Sequence, residues 1–242
     1  MKSSTKKTIL ALIISTFCKE LSAKVAPDFI EICPGLKSDC LKENIQRTIP
    51  HFVKGVPSLG LNTTDPLLLD HLTYDLPGGL KIEFYDGALT GLRKCIVDSV
   101  KYENYDATIN IHCDIVIKGK YKATGRVILF TLNGEGDAKI KSKNVIIESK
   151  ITFEDKVRKG VEYREVKNIK TDYRFGDRVS FVFTNLFKGN PELSKTILDF
   201  LNENWKDVLG EFANPIIDPV LLQIIREIKQ FFKEIPKNEL IA

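Results

Sequence analysis

The hydrophobic positions of this chain change period twice. Leu41, Ile45, Ile49, Phe52 and Val53 recur at helical spacing, with Ser38 and Asp39 placed to cap the first turn and Pro50 to kink or end the helix. From about residue 79 to 187 the period becomes two: alternating apolar and polar segments separated by Gly, Asn and Asp, the pattern of an antiparallel meander. In YDATINIHCDIVIKG one face carries Ile109, Ile111, Cys113, Ile115 and Ile117 and the other Thr108, Asn110, His112 and Asp114. RVILFTL, NVIIESKITFE and RVSFVFTNLF continue that pattern, and NGEGD at 133–137 reads as a hairpin turn. The last fifty residues return to helix. Leu193, Ile197, Phe200, Leu201, Trp205, Val208, Leu209 and Phe212 trace one stripe; Val220, Ile224, Ile228, Phe231, Phe232 and Ile235 trace a second, with Asn214-Pro215 placed to start it. Helix, long curved sheet and two long helices make an α+β fold, a mainly antiparallel sheet with helices gathered on one face.

Two stretches do not fit an ordinary core. GVPSLGLNTTDPLLLDHLTYD, residues 55–75, exposes Val56, Leu59, Leu61 and Leu67 to Leu69 where proline and glycine forbid a long regular element. RVSFVFTNLF offers Val179, Phe181 and Phe183 on one face and Val182 and Leu186 on the other, so both faces call for burial. A sheet curled around a long helix satisfies both and leaves an elongated apolar tunnel, with 55–75 as its sill. The competing reading is a filled interior in which all stripes pack on one another. In the tunnel reading, segments 55–66 and 213–219 are the mobile lips.

Composition changes this picture at the N-terminus. Residues 1–23 combine lysines, an apolar run from Ile9 to Ile14 and small residues at Ser22 and Ala23, the layout of a signal peptide cleaved after Ala23; an uncleaved anchor is the alternative. No other apolar run is read as long enough for a membrane, so residues 24–242 are expected to form one soluble, secreted, monomeric domain. The segment 1–23 holds four lysines and one glutamate, so the balance of 36 basic to 32 acidic residues becomes 32 to 31 without it. A near-neutral chain has no footprint for nucleic acid or for stable insertion into an anionic membrane. Loss of Cys18 leaves four cysteines, an even number that favours disulfides in an oxidising compartment. Cys33 and Cys40 bracket a short loop, and Cys95 and Cys113 lie equally far from Asn104, where a hairpin would set them opposite each other; three pairings are possible, and two free buried thiols at Cys95 and Cys113 are the alternative. Asn62-Thr63-Thr64 is an N-glycosylation sequon.

Catalytic chemistry is poorly supplied. There is no G-x-S-x-G, H-E-x-x-H, paired C-x-x-C or Walker loop, and His51, His71 and His112 sit in unrelated segments. Asp70-His71 is a carboxylate–imidazole pair, but neighbours on a strand point to opposite faces. IKGKYKATGR is a basic strand pair read as a solvated face. Neither an enzyme nor a cofactor is expected.

An ordered set of motifs then carries a resemblance. CPGLKSDC, a helix ending in HFVKGVPSLGLNTTDPLLLDHL, the strand GKYKATGRVILFTLNGEGDAKI and the ending from LSKTILDFLNENW to FFKEIP together resemble the insect takeout and haemolymph juvenile-hormone-binding family, over about Cys33 to Lys237. The resemblance implies a tubular lipid-binding fold, a secreted non-enzymatic carrier of terpenoid hormones or other hydrophobic ligands, and a Cys33–Cys40 disulfide. Cys95 and Cys113 do not stand where the hormone-binding branch carries its second disulfide, which favours the takeout branch, and Pro215 and Pro219 interrupt what the family makes one long helix. Residues expected to face inward in a curled sheet are Phe52, Leu61, Leu68, Phe84, Phe130, Ile147, Phe153, Phe181, Phe183, Leu201, Trp205, Phe212, Ile224 and Ile228, with Tyr121 and Tyr173 as candidate hydrogen-bonding groups. A membrane- or bacterial-lipid binder of the same class, and less so an esterase dependent on His71, are the competing functions.

Overall fold

The computed structural model describes residues 24–127 and 130–241, so the signal segment and its Cys18 lie outside the described residues. Its spine is one hairpin of two very long strands, β5 (Asp106–Val127) and β6 (Phe130–Arg158). At ~3.3 Å per residue, 29 residues of β6 would run roughly 95 Å if straight, far beyond a domain of this size, so the pair must curl. All partners are antiparallel. Along the free edge of β5 lie β3 (Leu80–Thr90) and then β4 (Ile96–Glu103), and β3 in turn carries β1 (Leu67–Leu69) and β2 (Leu72–Leu76). Along the free edge of β6 lie β8 (Val179–Phe183) and then β7 (Val161–Phe175). The hairpin expected at residues 103–105 joins β4 to β5, with Asn104 left-handed at φ 57°. It brings Cys95 to Cys113 in a disulfide, and a second bond joins Cys33 to Cys40.

Three α-helices complete the fold among the described residues. Helix α1 (Ser38–Phe52) starts at Ser38 without a side-chain cap, so Ser38 and Asp39 are first-turn residues rather than caps, and Pro50 sits in its last turn. Gln46 ties α1 to the sheet: its Oε1 accepts from the Val97 amide at 2.7 Å and its Nε2 donates to the Cys95 carbonyl at 3.0 Å. Helix α2 (Pro191–Glu203) is capped by Asn190, whose Oδ1 accepts from the Leu193 amide at 3.0 Å. Helix α3 (Trp205–Glu234) runs 30 residues along the concave side of the sheet.

Two sequence expectations about the helices fail. The break falls at Asn204, which leaves helical geometry at φ −105° and ψ 28° while its backbone amide and its side-chain amide both donate to the Phe200 carbonyl at 2.9 Å. Pro215 and Pro219 then lie inside a continuous α3. Spaced by four, they leave the carbonyls of Glu211 and Pro215 without their helical donors, but all three residues are on the exposed side, where water replaces the lost bonds. Helix α3 also overturns the reading of apolar lengths: its best 18-residue window has a mean hydropathy of 1.4, enough to cross a membrane by length and composition.

NGEGD is not a turn. It lies within β6, paired from Asn133↔Thr124 to Asp137↔Lys120. Its glycines serve a close approach: a Cβ on Gly134 would sit 2.5 Å from the Leu186 carbonyl oxygen, and one on Gly136 would sit 2.4 Å from the Thr184 hydroxyl. Residues 184–187 therefore cross the concave face directly over bare backbone.

Candidate functional site

Alternation along the spine decides which side chains point into the tube. On β5 the inward set is Ala107, Ile109, Ile111, Cys113, Ile115, Ile117, Tyr121 and Ala123. On β6 it is even-numbered up to Ser142 and odd-numbered from Val145, because Cys113 pairs with Val145 while Ile115 pairs with Ser142, leaving one extra residue on β6. Asn144 occupies that bulge at φ 52°, its amide donating to Asp114 Oδ1 at 2.9 Å.

The interior packs in three separate groups. The largest gathers Leu67, Leu69, Phe84, Tyr121, Leu132, Leu186 and Phe187 under α2 and the first part of α3, with Phe183, Leu201, Phe212 and Ile224 against it. A cap at one end joins Val56, Leu59 and Leu61 to Phe231, Ile235 and Phe52, whose ring meets that of Phe231 at 5.8 Å. A third group joins Ala107, Ile151 and Phe153 to Tyr102 and Phe232. Outside these groups, Ile111, Ile147, Phe175, Ile216, Ile217, Leu221 and Ile228 each keep accessible surface, while Ile225 lies in an open groove with Glu165, Val166, Arg226 and Lys229. Only 11% of the apolar window of α3 is fully buried. An apolar band is thus built on the concave side without being closed by its own side chains.

The sequence-selected residues distribute across these zones. Ile147 and Ile228 lie in the open band; Phe84, Phe183, Leu201, Phe212 and Ile224 border it from the main group, and Phe153 from the third group. Phe181 is buried on β8 and stacks on Phe183 at 6.4 Å. Trp205 is half-buried at the start of α3 beneath the Lys206 ammonium, 5.5 Å from its ring. Phe52 and Leu61 belong to the cap. Leu68 is 65% exposed between buried Leu67 and Leu69, and Phe130 is 41% exposed at the hairpin end, 6.4 Å from the Phe187 ring. Val182 is exposed too, so β8 has one buried face rather than two. The inward set chosen from the sequence left out Ile109, Ile111, Ile169 and Phe175, although the alternation already placed Ile109 and Ile111 on one face.

Residues 55–66 are pinned rather than loose. Glu227, buried on α3, accepts from the Asn62 amide at 2.9 Å and from Asn62 Nδ2 at 3.0 Å. At the far end of β6 and β7, Asp155 accepts from Arg164, from Lys237 Nζ at 2.7 Å and from the Tyr105 hydroxyl at 2.9 Å. Burial alone would raise the Asp155 carboxyl, but these three donors outweigh it and hold it well below the usual carboxylate range. The Tyr121 hydroxyl donates to the Thr184 carbonyl at 2.8 Å, and burial pushes its pKa up to about 12. The histidines stay apart: His51 stacks on Phe29, His112 faces Asp98 at 2.8 Å, and Asp70-His71 forms the bend between β1 and β2 rather than part of a strand.

Known proteins match this architecture along most of its length. The family model "Haemolymph juvenile hormone binding protein" matches residues 9–242. The "Circadian clock-controlled protein daywake" of Drosophila yakuba is 25% identical over 88% of this chain and 87% of its own, and that of Drosophila melanogaster 22% identical over 92% and 90%. The crystal structure of Takeout 1 from Epiphyas postvittana superimposes with a TM-score of 0.82 at 34% identity, covering 88% of this chain and all of that one. A highly curved antiparallel sheet closed over a long helix is the tubular lipid-binding fold, and the chain belongs to the haemolymph juvenile hormone binding protein family, which includes the takeout proteins.

Proposed function

We propose that the chain is a secreted, non-enzymatic, monomeric carrier that holds one hydrophobic small molecule, such as a terpenoid or another lipid, in the apolar band between the sheet and α3. The carrying observation is that band: inward isoleucines of β5, β6 and α3 that keep accessible surface while both flanking groups are packed. Membership of a juvenile-hormone-binding family and two disulfides suited to an oxidising compartment support the reading. Capture would be driven by dehydration. A ligand losing ~300 Å² of apolar surface gains roughly 7 kcal/mol, and association entropy takes back part, giving micromolar to high-nanomolar affinity. The test is native mass spectrometry of the gently purified protein together with titration by N-phenyl-1-naphthylamine. A co-purifying hydrophobic small molecule, or saturable one-to-one probe uptake displaced by a terpenoid, is expected; neither appearing rejects the carrier.

A second reading, action at an anionic lipid surface, is favoured by the β6–β7 hairpin tip, where Val157 is 71% exposed among Lys156, Arg158 and Lys159. Binding to phosphatidylserine vesicles that weakens with salt and is lost in Val157→Asp supports it; indifference to such vesicles removes it.

A further inference from the structure

One row of the inward face breaks the apolar pattern. Pairing across three strands sets Ile109 opposite Ser149 and Ser149 opposite Thr171, between the row Ala107, Ile151, Ile169 and the row Ile111, Ile147, Tyr173. Ser149 and Thr171 share the concave face with these apolar residues, while their chain neighbours Glu148, Lys150, Lys170 and Asp172 stand on the other face. Their hydroxyl oxygens are 3.2 Å apart. One O–H satisfies that contact, which leaves the second O–H and several lone pairs without a partner in the pair. Both residues keep accessible surface. Three other inward polar groups are closed over or already bonded: Ser142 is covered at 8% exposure, the Tyr121 hydroxyl goes to Thr184, and the Tyr173 hydroxyl donates to Asn214 Oδ1 at 2.7 Å. Arg164, the buried cation at the end of the same face, is spent on Asp155 and the Tyr102 hydroxyl.

We propose that the Ser149–Thr171 hydroxyl pair is the polar anchor of the apolar band, and that it selects a neutral oxygen function, an ester, ketone, epoxide or alcohol, carried on a hydrophobic chain. The inference rests on the carrier reading. A plain hydrocarbon leaves the second hydroxyl unpaired, whereas an uncharged oxygen completes it. Among the described residues a carboxylate finds no free cation on the same face beside the pair, and it loses its hydration on entering, so it binds less well than the ester.

The test uses the oxidised full-length mature protein, N-phenyl-1-naphthylamine as reporter, and three competitors of matched length: dodecyl acetate, tetradecane and tetradecanoate. Wild type is expected to rank the acetate first. Ser149→Ala combined with Thr171→Val, which conserves volume, should weaken the acetate roughly ten-fold while moving tetradecane and the reporter less than about two-fold. Thr171→Ser should restore most of the loss in a Ser149 background. If the double variant folds poorly by thermal melting, Ser149→Ala alone is read the same way. Equal losses for acetate and alkane, an unchanged acetate affinity, or a wild-type preference for tetradecanoate each overturn the anchor while leaving the carrier intact. Failure of wild type to take up the reporter removes both.

Discussion

The two halves of the long β5–β6 hairpin carry the same alternating pattern and end up with different interiors. In the half flanked by β3 and β8, Phe84, Tyr121, Leu132, Leu186 and Phe187 close on one another, because residues 184–187 and helix α2 cross the concave face there. In the half flanked by β4 and β7, α3 passes over isoleucines that remain half-open, and only the end is sealed by Phe153, Tyr102 and Phe232. Alternation makes an apolar face; what lies across it decides between core and wall.

The largest test of that contrast compares truncations. Leu132→Ala in the closed half should cost about 2–5 kcal/mol in urea unfolding, since it opens a cavity among packed neighbours. Ile147→Ala in the open half should cost below about 1.5 kcal/mol, having less contact to lose. Equal costs would mean that the band is filled after all. Enlargement should show the reverse asymmetry: Ala123→Leu is expected to destabilise by about 1–3 kcal/mol, whereas Ile147→Phe should leave the unfolding midpoint nearly unchanged and cut reporter uptake, as fluorescence titration would show.

A smaller effect concerns the sealed end. The folded Asp155 carboxyl titrates below its unfolded counterpart, so the unfolded chain takes up the proton first as pH falls. Its contribution is therefore present above about pH 4 and declines below it. Melting curves should show this acid loss in wild type and a flatter profile in Asp155→Asn. Smallest of all, Leu68→Gln should move stability by no more than about 0.5 kcal/mol and leave uptake unchanged, because Leu68 faces away from both halves.

Much of this was legible in the sequence, for physical reasons that also mark where legibility stopped. The stripe of α1, the inward row from Ile109 to Ile117 and the hairpin that joins Cys95 to Cys113 follow from local periodicity and symmetric spacing. The helix break was not readable: Asn204 carries no proline or glycine signal, while Pro215 and Pro219 carry a strong one that exposure on α3 renders harmless. Glycines in NGEGD look the same whether a chain turns or another chain crosses over them, and only residues 184–187, some fifty positions on, tell the two apart. For the site, the set expected to face inward was rich in phenylalanines, which mostly fill the packed groups. The open band is lined largely by isoleucines, which resemble any half-buried strand until the long-range arrangement is known.

The bulge at Asn144 has a consequence for how this family's chain can change length. It absorbs one surplus residue in an otherwise strictly two-beat segment: remove it and Ser142, Lys143 and Val145 alternate without interruption, so Val145 still meets Cys113 and every side chain from there to Phe153 keeps its side. A one-codon deletion is therefore absorbed at Asn144, whereas the same deletion at Ile146, inside the regular run, would turn Ile147 and Ile151 outward and bring Glu148 and Lys150 to the lumen.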